Sequence, residues 1–286
     1  MYPVVRVQVE KSEAESIRQE RHGELEYLTF PALAEFSFIR HLFTTRTGGV
    51  STGDCATMNL SFSRGDEPEA VSENYRRICQ ILGTEPGQVV ASMQTHTTNI
   101  RHVTGDDKGK GVIRPLDYQD VDGLITNEPG IALACFYADC VPLYFVDPVN
   151  HAIGLAHSGW RGTVGRMGAH MVQAMQEAFG SRPEALITAI GPSICRSCYE
   201  VSEDVADAFM WEFPDSEVVF SGREPGKYQL DLWLANKMVL QQAGVTENHI
   251  HVTDICTCHN PEYLFSHRAS HGKRGNLAAF LMIKEE

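Results

Sequence analysis

Short apolar runs bounded by turn residues recur along the chain, and they constrain its fold more than any other feature. Apolar runs of about four to eight residues are typical of buried β-strands, whereas a helix needs a longer segment. These runs lie at residues 40–45, 89–93, 123–126, 131–136, 143–146, 152–156 and 186–190. The sequence therefore predicts a sheet whose strands are largely buried.

Amphipathic helical patterns lie between these runs. In the clearest one, residues 163–179, apolar positions recur at spacings of three and four until Gly180 ends the pattern. Similar patterns occupy residues 69–82, 202–211 and 232–243. Together they predict an α/β fold with a central mixed sheet and flanking helices, and a layered α+β arrangement stays open. Three methionines of the clearest pattern are expected to pack in the core: Met167, Met171 and Met175.

The chain is interpreted as a single domain, residues 1–286. It contains no internal repeat and no linker-like segment of low complexity. A chain of this length can bury a sizeable core without the help of disulfide bonds. Residues 1–30, which include a charged run from Glu10 to Glu26, are interpreted as an N-terminal extension.

The balance of charge limits the partners of the protein. The chain has 24 lysine and arginine residues against 37 aspartate and glutamate residues, which gives a formal net charge of −13. A surface of this sign repels nucleic acids and anionic membranes. One short basic segment, residues 267–274, is of a size to hold a single bound anion. The expected partners are therefore small molecules.

No segment has the features of a secretory signal or a membrane span. The N-terminal residues lack an apolar stretch, and no run of about 18 apolar residues occurs. We therefore expect a cytoplasmic protein. Its eight cysteines would stay reduced and available for packing, metal binding or catalysis.

Three short segments place metal-binding side chains beside predicted strands. They are Gln94-Thr95-His96, Ala138-Asp139-Cys140-Val141-Pro142 and His157-Ser158-Gly159-Trp160-Arg161-Gly162. Zinc favours imidazole and thiolate ligands, and a catalytic zinc usually has three protein ligands and one open position. His96, Cys140 and His157 meet this need, although a buried cysteine and two structural histidines would give the same spacing. From the residues alone, both interpretations stay open.

The third segment leads directly into the clearest helical pattern. Helix N-termini bind anions because their backbone NH groups and dipole point toward the ligand. Arg161 could add a two-pronged contact to phosphate, and it could equally do no more than cap a surface turn. The start of this helix is thus a candidate phosphate site.

The combination of these segments resembles the YlmD/YfiH family of zinc-dependent purine nucleoside phosphorylases. The three segments occur in the order and approximate spacing of that family. Further matching stretches are Thr47-Gly48-Gly49-Val50-Ser51, Asn59-Leu60, Asp122-Gly123, Gly191-Pro192-Ser193-Ile194 and Cys198-Tyr199-Glu200-Val201. The similarity covers residues 40–280, which are interpreted as the catalytic region. In the tail, His267 and Lys273 replace a tyrosine and a glycine that are usual in the family, which puts substrate contacts from the tail in question.

The resemblance implies an α/β fold and a zinc ion held by His96, Cys140 and His157. It also implies phosphorolysis of adenosine, inosine and S-methyl-5′-thioadenosine, with adenosine deamination as a companion activity. Nucleoside and phosphate are then the partners, and zinc rather than copper is the cofactor. By the same resemblance Arg161 contacts phosphate. Two residues of the early matching stretches are weaker candidates for this pocket: Arg46 and Asn59.

Asp139 is a further candidate catalytic residue because it directly precedes Cys140. Its carboxylate could orient His157 or His96, or it could carry a proton during catalysis. It could also do no more than end the strand through a local turn bond. Both roles stay open at this point.

Two other metal enzymes share isolated features with this chain. His22-Gly23-Glu24, together with Cys195 and Cys198, partly matches the signature of cytidine-deaminase-type zinc enzymes, but Pro192 is not adjacent to Cys195. A multicopper laccase would need several His-x-His pairs, and only His249-Ile250-His251 has this form. Both interpretations are disfavoured, and the last segment is expected on an ordinary strand.

Two alternatives lie closer to the predicted site. Some family members are described as peptidoglycan editing factors, so the chain could be a zinc-dependent amidase that acts on a cell-wall precursor. It could also be a non-enzymatic zinc-binding module, in which Cys195, Cys198, Cys256 and Cys258 form a closed site of four thiolates. Packing of these thiols in the core is the simpler interpretation. The preferred nucleoside, the balance of phosphorolysis and deamination, and the oligomeric state are left open.

Overall fold

The computed structural model describes residues 1–7 and 16–285, which form fifteen strands and six α-helices. The strands are β1 (Arg18–His22), β2 (Leu25–Thr29), β3 (Ile39–Thr44), β4 (Val89–Ala91), β5 (Ile100–His102), β6 (Gly123–Thr126), β7 (Ala132–Tyr137), β8 (Val141–Asp147), β9 (Ala152–Ser158), β10 (Ile187–Ile190), β11 (Glu200–Ser202), β12 (Val219–Ser221), β13 (Lys227–Leu230), β14 (Ile250–Val252) and β15 (Leu277–Ile283). The α-helices are α1 (Pro31–Ala34), α2 (Pro68–Leu82), α3 (Trp160–Val164), α4 (Met167–Phe179), α5 (Glu203–Glu212) and α6 (Leu232–Gln242). Every run that was predicted as a strand is confirmed to within a few residues.

Two six-stranded mixed sheets face each other at the centre of the molecule. Their strand orders are β1-β2-β3-β15-β7-β4 and β14-β10-β8-β9-β6-β5. Neighbouring strands are antiparallel except for β4 with β7, β5 with β6 and β10 with β14. A smaller sheet, β11-β13-β12, packs against α5. The predicted α/β class is confirmed, and the predicted central sheet is divided into two packed sheets.

Side chains from alternate positions of the central strands fill the space between the two sheets. On β15, Leu277, Ala279 and Leu281 belong to the same buried cluster as Leu133 of β7 and Leu155 of β9. The intervening residues of β15 pack into the cluster that contains the apolar face of α2. Both faces of β15 are therefore covered, which explains why its sequence is apolar without interruption.

Helices form the outer layers. Helices α4 and α6 cover the second sheet, and α2 covers the first. The prediction that Met167, Met171 and Met175 pack in the core is confirmed, because all three are completely buried. Gly123 of β6 leaves the room that they need, since a Cβ atom there would lie 2.6 Å from Met167 Cε and 2.7 Å from Met171 Sδ. The layers therefore run helix, sheet, sheet, helices.

The helix that was predicted over residues 163–179 is divided into two helices. The short helix α3 ends before Gly165, and α4 begins after Arg166, whose backbone is left-handed with φ of 60°. The guanidinium of Arg166 donates hydrogen bonds to Glu212 and Gln242, both at 2.7 Å. These bonds stabilise the break. Because the apolar spacing continues across it, the sequence pattern alone does not reveal it.

The N-terminal segment contributes to the first sheet. Strands β1 and β2 pair as a hairpin, and β2 pairs with β3. Arg6 forms an ion pair with Asp254 at 2.6 Å, which ties this segment to the loop after β14. Residues 18–29 of the predicted extension are thus part of the sheet, whereas residues 10–15 of the predicted charged run lie outside the described residues. No helix in the described part of the chain is long and apolar enough to cross a membrane.

One edge of the paired sheets carries the side chains that the sequence singles out. His96 follows β4 of the first sheet, and His157 lies near the end of β9 of the second. Cys140 lies between β7 and β8, where the chain crosses from the first sheet to the second. Strand ends from both sheets therefore support one site.

Candidate metal centre

The three predicted ligands come together where the two sheets meet. The metal-binding atoms of His96, Cys140 and His157 all lie within 4.8 Å of one another. Cys140 Sγ lies 3.9 Å from His96 Nε2, and the centroids of the two imidazole rings are 4.9 Å apart. His157 is buried, Cys140 is partly buried and His96 is exposed, so this cluster opens to solvent on one side. Two imidazoles and a thiolate form a donor set that suits zinc.

Asp122 holds the turn that presents His96. Its Oδ2 accepts hydrogen bonds from the backbone NH groups of Thr95 and Thr97, both at 3.0 Å, and its Oδ1 accepts one from the His96 NH at 3.1 Å. The Thr97 hydroxyl donates a further bond to Oδ2. These bonds stabilise the left-handed backbone of His96, whose φ of 67° is unfavourable for residues other than glycine. The position of His96 therefore depends on one buried carboxylate.

The same carboxylate orients His157. Asp122 Oδ1 accepts a hydrogen bond from His157 Nδ1 at 2.8 Å, which leaves Nε2 for the cluster. Metal-binding histidines commonly donate their other ring NH to a carboxylate in this way, which sets the tautomer and raises the basicity of the ligand. In the sequence, Asp122 stands out only through the Asp122-Gly123 match, and its role at the centre is not predicted there.

Charge interactions within the cluster make Cys140 acidic. Burial would raise the pKa of the Cys140 thiol, but His157 and His96 lower it to about 6. Burial would lower the pKa of His157, but Cys140 and Asp122 raise it to about 9. The thiolate that metal coordination requires is therefore available near neutral pH.

Gly159 leaves room for two of the ligands. A Cβ atom on Gly159 would lie 2.9 Å from His96 Cδ2 and 3.1 Å from Cys140 Sγ, which is closer than such atoms normally approach. The φ of −73° at Gly159 is accessible to any residue, so the close approach, and not the backbone conformation, requires glycine. The residues present thus fit a bound zinc ion in donor type, outer carboxylate and available space.

Asp139, which the sequence suggests as a partner of His157 or His96, contacts neither histidine through its hydrogen bonds. Its Oδ1 accepts a hydrogen bond from the Thr257 hydroxyl at 2.7 Å, and its Oδ2 accepts one from the Arg268 backbone NH at 2.7 Å. Both oxygens are thus engaged away from the histidine ligands, and Asp122 provides the carboxylate that bonds to a ligand. Asp139 itself has a φ of 97° and shapes the turn that presents Cys140.

A cleft of about 360 Å³ opens beside the cluster, and all three predicted ligands line it. Part of its wall is apolar and is formed by Phe62, Met93, Leu116 and Phe136. Phe62 is 40% exposed and stacks on Tyr75, with ring centroids 5.9 Å apart and the planes inclined by 10°. This gives the cleft a flat aromatic surface. Its volume lies in the range of sites that bind small molecules.

Two arginines, Arg64 and Arg274, also line the cleft. Arg274 donates hydrogen bonds to the Asn276 side chain and to the Gly275 carbonyl, but its buried Nε has no hydrogen-bond partner. Burial and the nearby positive charge of Arg64 lower the pKa of Arg274 to about 10. The two guanidinium groups therefore create an environment that suits an anion. Arg274 comes from the basic segment 267–274, for which the sequence predicts one bound anion.

Arg161, the predicted phosphate contact, lies outside this lining. It is exposed, and its guanidinium carbon lies 4.3 Å from the centroid of the Trp160 ring. Helix α3, which begins at Trp160, has five residues and therefore provides few aligned backbone dipoles. The structure thus does not bring Arg161 into the cleft that the three ligands share.

Arg46 and Asn59 lie outside the lining of the cleft. The Arg46 guanidinium donates hydrogen bonds to two backbone carbonyls, at 2.9 and 2.7 Å, and lies over the Phe265 ring. The buried Asn59 accepts hydrogen bonds from the backbone NH groups of Ser61 and Asn276, at 3.1 and 2.9 Å. Ser61 and Asn276 line the cleft, whereas Arg46 and Asn59 do not. Their observed contacts are therefore with the protein.

A second group of metal-binding side chains lies apart from the cleft. The metal-binding atoms of Cys195, Cys198, Cys256 and His259 are all within 4.8 Å of one another. His259 takes the place that the four-thiolate alternative gives to Cys258, and the Cys-x-x-His spacing is the signal that could have revealed it. In the part of the chain that the structure describes, these two groups are the ones close enough to hold a metal ion.

Two histidine segments that suggest other metal enzymes lie outside both groups of metal-binding side chains. His22-Gly23-Glu24 forms the exposed turn between β1 and β2. His249-Ile250-His251 leads into β14, as predicted for an ordinary strand. Neither segment contributes a ligand to the two groups of metal-binding side chains.

Known proteins resemble this chain over most of its length. A family model described as multi-copper polyphenol oxidoreductase laccase matches residues 40–284. The chain belongs to this family. A protein named purine nucleoside phosphorylase YlmD, from Geobacillus stearothermophilus, is 39% identical over 248 residues, which cover 85% of this chain and 89% of that protein. A purine nucleoside phosphorylase from Bacteroides thetaiotaomicron is 35% identical over 259 residues, 90% of this chain and 96% of that protein.

Solved structures agree with the family assignment. The crystal structure of YlmD from Geobacillus stearothermophilus matches with a TM-score of 0.87 at 36% identity, over 95% of this chain and 100% of that chain. The predicted resemblance to the YlmD/YfiH family is therefore confirmed. The family description names copper, whereas His96, Cys140 and His157 offer a donor set typical of a single zinc ion.

Proposed function

We propose that this chain is a zinc-dependent purine nucleoside phosphorylase that acts on adenosine, inosine and S-methyl-5′-thioadenosine. One observation carries the proposal: the cluster of two histidines and one cysteine lines the same cleft as two arginines and an aromatic surface. The cleft thus combines environments for a metal, an anion and a planar base, which suit phosphorolysis of a nucleoside. The names of the relatives from Geobacillus stearothermophilus and Bacteroides thetaiotaomicron support it.

The metal would be held by His96, Cys140 and His157. A bound zinc ion would supply Lewis acidity that polarises an oxygen of phosphate or substrate. Asp122 supports this arrangement, because it keeps His157 in one tautomer and holds the His96 turn through backbone hydrogen bonds. The acidity of the Cys140 thiol allows zinc to replace its proton near neutral pH.

Arg274 and Arg64 are the residues that we assign to phosphate. In phosphorolysis a phosphate oxygen bonds to the anomeric carbon while the bond to the purine breaks, and the purine takes the electron pair and a proton. Guanidinium groups bind phosphate oxygens in pairs and stabilise their charge. A bound phosphate would also offset the repulsion that lowers the pKa of Arg274. Arg161 is the competing candidate, because it belongs to the same sequence segment as the proposed ligand His157.

The purine base is assigned to the apolar wall of the cleft. Phe62 and Met93 are 40% and 43% exposed, which is unusual for side chains of this size. Phe62 is held in place by its stacking on Tyr75. A flat aromatic face and a polarisable thioether are suitable partners for a planar base. The exposed side chains thus have a binding role in this proposal.

Phosphate-dependent release of hypoxanthine from inosine tests the assignment of phosphate. A charge-assisted hydrogen bond is worth about 1.5–3 kcal/mol, so Arg274→Met should raise the KM for phosphate by roughly 10- to 100-fold. The KM for inosine should change far less, because the base is assigned to another wall. Arg161→Ala provides the comparison. An increase of the phosphate KM in Arg161→Ala, with none in Arg274→Met, would transfer the phosphate site to Arg161.

Adenosine deamination is proposed as a second reaction of the same centre. The reason is that one metal-binding group lines the cleft, so both reactions would depend on the same ligands. Cys140→Ala should therefore abolish hypoxanthine release from inosine and ammonia release from adenosine together, and Cys258→Ser should change neither. A Cys140→Ala variant that keeps its zinc and its phosphorolysis, but loses deamination, contradicts a shared metal.

Assays on zinc-loaded wild type and on Cys140→Ala also distinguish the proposed phosphorylase from the alternative amidase. Zinc-loaded protein that releases no base from adenosine, inosine or S-methyl-5′-thioadenosine in phosphate contradicts the proposed function. Amide cleavage of a cell-wall precursor by that protein, lost in Cys140→Ala, would then assign the cleft to the amidase reaction. The metal-binding residues would be the same in both cases, because a Lewis acid can polarise either substrate.

A further inference from the structure

Two short segments bring four metal-binding side chains together outside the cleft. Cys195 precedes a turn of 3-10 helix and Cys198 is the last residue of that turn, whereas Cys256 and His259 belong to the loop after β14. The two pairs have the spacings Cys-x-x-Cys and Cys-x-x-His. Pairs with two intervening residues are the usual way in which a zinc site takes two ligands from one turn.

The separations of the four metal-binding atoms are compatible with a tetrahedral site. All four metal-binding atoms lie within 4.8 Å of one another, and Cys195 Sγ lies 3.7 Å from His259 Nδ1. With zinc at about 2.3 Å from sulfur and 2.0 Å from nitrogen, ligands at tetrahedral angles are about 3.5–3.8 Å apart. The observed arrangement therefore needs only small shifts to hold a metal ion.

One backbone NH group is directed at a sulfur atom of the cluster. The Cys195 NH donates a hydrogen bond to Cys256 Sγ at 3.3 Å. Such a bond favours a thiolate over a thiol. It connects the two pairs, because its donor and its acceptor belong to different pairs.

Three thiol groups lie side by side in this cluster. A divalent cation that binds them replaces the thiol protons and neutralises the charge of the adjacent thiolates.

We propose that Cys195, Cys198, Cys256 and His259 form a second, structural zinc site. All four ligands come from the protein, which is typical of structural zinc, and soft thiolates select zinc over magnesium or calcium. None of the four residues lines the cleft, and Cys195 and Cys256 are buried. The site therefore holds the fold together and does not act on substrate.

The second site connects two segments that support the cleft. Thr257, next to Cys256, donates its backbone NH to the Ser193 carbonyl at 3.1 Å and its hydroxyl to Asp139. Arg268 donates its guanidinium to the Cys198 carbonyl at 3.1 Å and its backbone NH to Asp139. Zinc at the second site would thus stabilise the turn that presents Cys140.

Zinc content measured by elemental analysis tests the proposal on the full chain. Wild type should hold about two zinc ions per chain, and Cys140→Ala and Cys198→Ser about one each. In Cys140→Ala the remaining zinc reports on the second site. Adding His259→Gln to this variant should lower the affinity of the second site for zinc at least roughly 10-fold. Adding Cys258→Ser should not lower it, although Cys258 is also a cysteine and lies beside Cys198.

Cobalt substitution keeps the test informative when a variant does not fold. In Cys140→Ala all four proposed ligands of the second site are unchanged. Cobalt bound to this variant should therefore show thiolate-to-metal charge-transfer absorption, because three of these ligands are thiolates. Absence of this absorption, together with loss of all zinc in Cys140→Ala, overturns the proposal. A disulfide between two of the three cysteines in freshly purified protein also overturns it. Loss of zinc in Cys258→Ser but not in His259→Gln overturns the assignment of His259.

Discussion

Replacing Gly159 by alanine would place a methyl group against two of the proposed zinc ligands. The new Cβ would lie 2.9 Å from His96 Cδ2 and 3.1 Å from Cys140 Sγ, whereas ordinary contacts begin at 3.4 Å. The differences, 3.4 − 2.9 and 3.4 − 3.1, mean that these atoms must retreat by 0.5 and 0.3 Å. Zinc sites tolerate changes of only about 0.2 Å in ligand distances. The substitution should therefore impair the site although it removes no ligand.

The expected loss of zinc affinity is roughly 10- to 100-fold, the effect typical of changes to groups that support metal ligands. This corresponds to about 1.4–2.8 kcal/mol of binding free energy. The fold should be retained, because the φ of −73° at Gly159 suits alanine. The free energy of unfolding of the metal-free variant should consequently stay within about 0.5 kcal/mol of wild type.

The zinc concentration that gives half-maximal hypoxanthine release reports on the cleft site, to which the reaction is assigned, and it is compared between two variants that keep all the proposed ligands of both zinc sites. Gly162→Ala is the matched control, because its Cβ would meet no atom closer than 3.6 Å in the same segment. Gly159→Ala should need at least about 10-fold more zinc than this control. Equal zinc requirements for the two variants would refute the argument from close approach. A large loss of stability in Gly159→Ala would show instead that the glycine serves the fold.

Two further predictions concern buried groups. Asp122→Asn should lower zinc affinity by roughly 10- to 100-fold, because the amide cannot accept all the bonds that hold His157 and the His96 turn. Asp120→Asn, on a partly buried neighbour, should not lower it. Equal zinc affinities of the two variants would contradict the role of Asp122. The neutral His41 accepts a hydrogen bond from the Phe30 NH, and burial lowers the pKa of His41 to about 4. Its contribution to stability is therefore present above pH 6.5 and is lost as the pH falls toward 4. Between pH 7 and pH 5 the free energy of unfolding in urea should fall by about 2 kcal/mol from this cause. If His41→Gln showed the same dependence of the unfolding free energy on pH as wild type, the prediction would be contradicted.

The sequence predicts those strands that are marked by a local apolar run between turn residues. It misses strands whose conformation depends on pairing with residues far away in the chain. Strands β6 to β9 are recognisable because turn residues bound each apolar run. Strand β15 is equally apolar, but an uninterrupted run of seven such residues also fits a buried helix. Its place between β3 and β7 depends on contacts with residues that lie far away in the chain. The short strands β11 to β13 owe their conformation to pairing with one another.

The candidate site shows the same division. The residue types of His96, Cys140 and His157 indicate their chemistry, and the structure brings them together. Asp122 could not be assigned from sequence, because its meaning comes from His157, 35 residues further along the chain. The nearness of Arg161 to a ligand in sequence suggests a phosphate contact. In the structure its guanidinium lies over Trp160, whereas the distant Arg274 reaches the cleft.

The position of β15 has a consequence for how the protein is made. This strand lies between β3 and β7, although it follows every other described strand in chain order. While the chain is being synthesised, the first sheet stays interrupted until residue 283 has left the ribosome. Arg274 and Asn276, which line the cleft, lie just before this strand and emerge equally late. The cleft therefore matures only after β15 has been synthesised, so a chain that terminates before β15 should have no activity rather than partial activity.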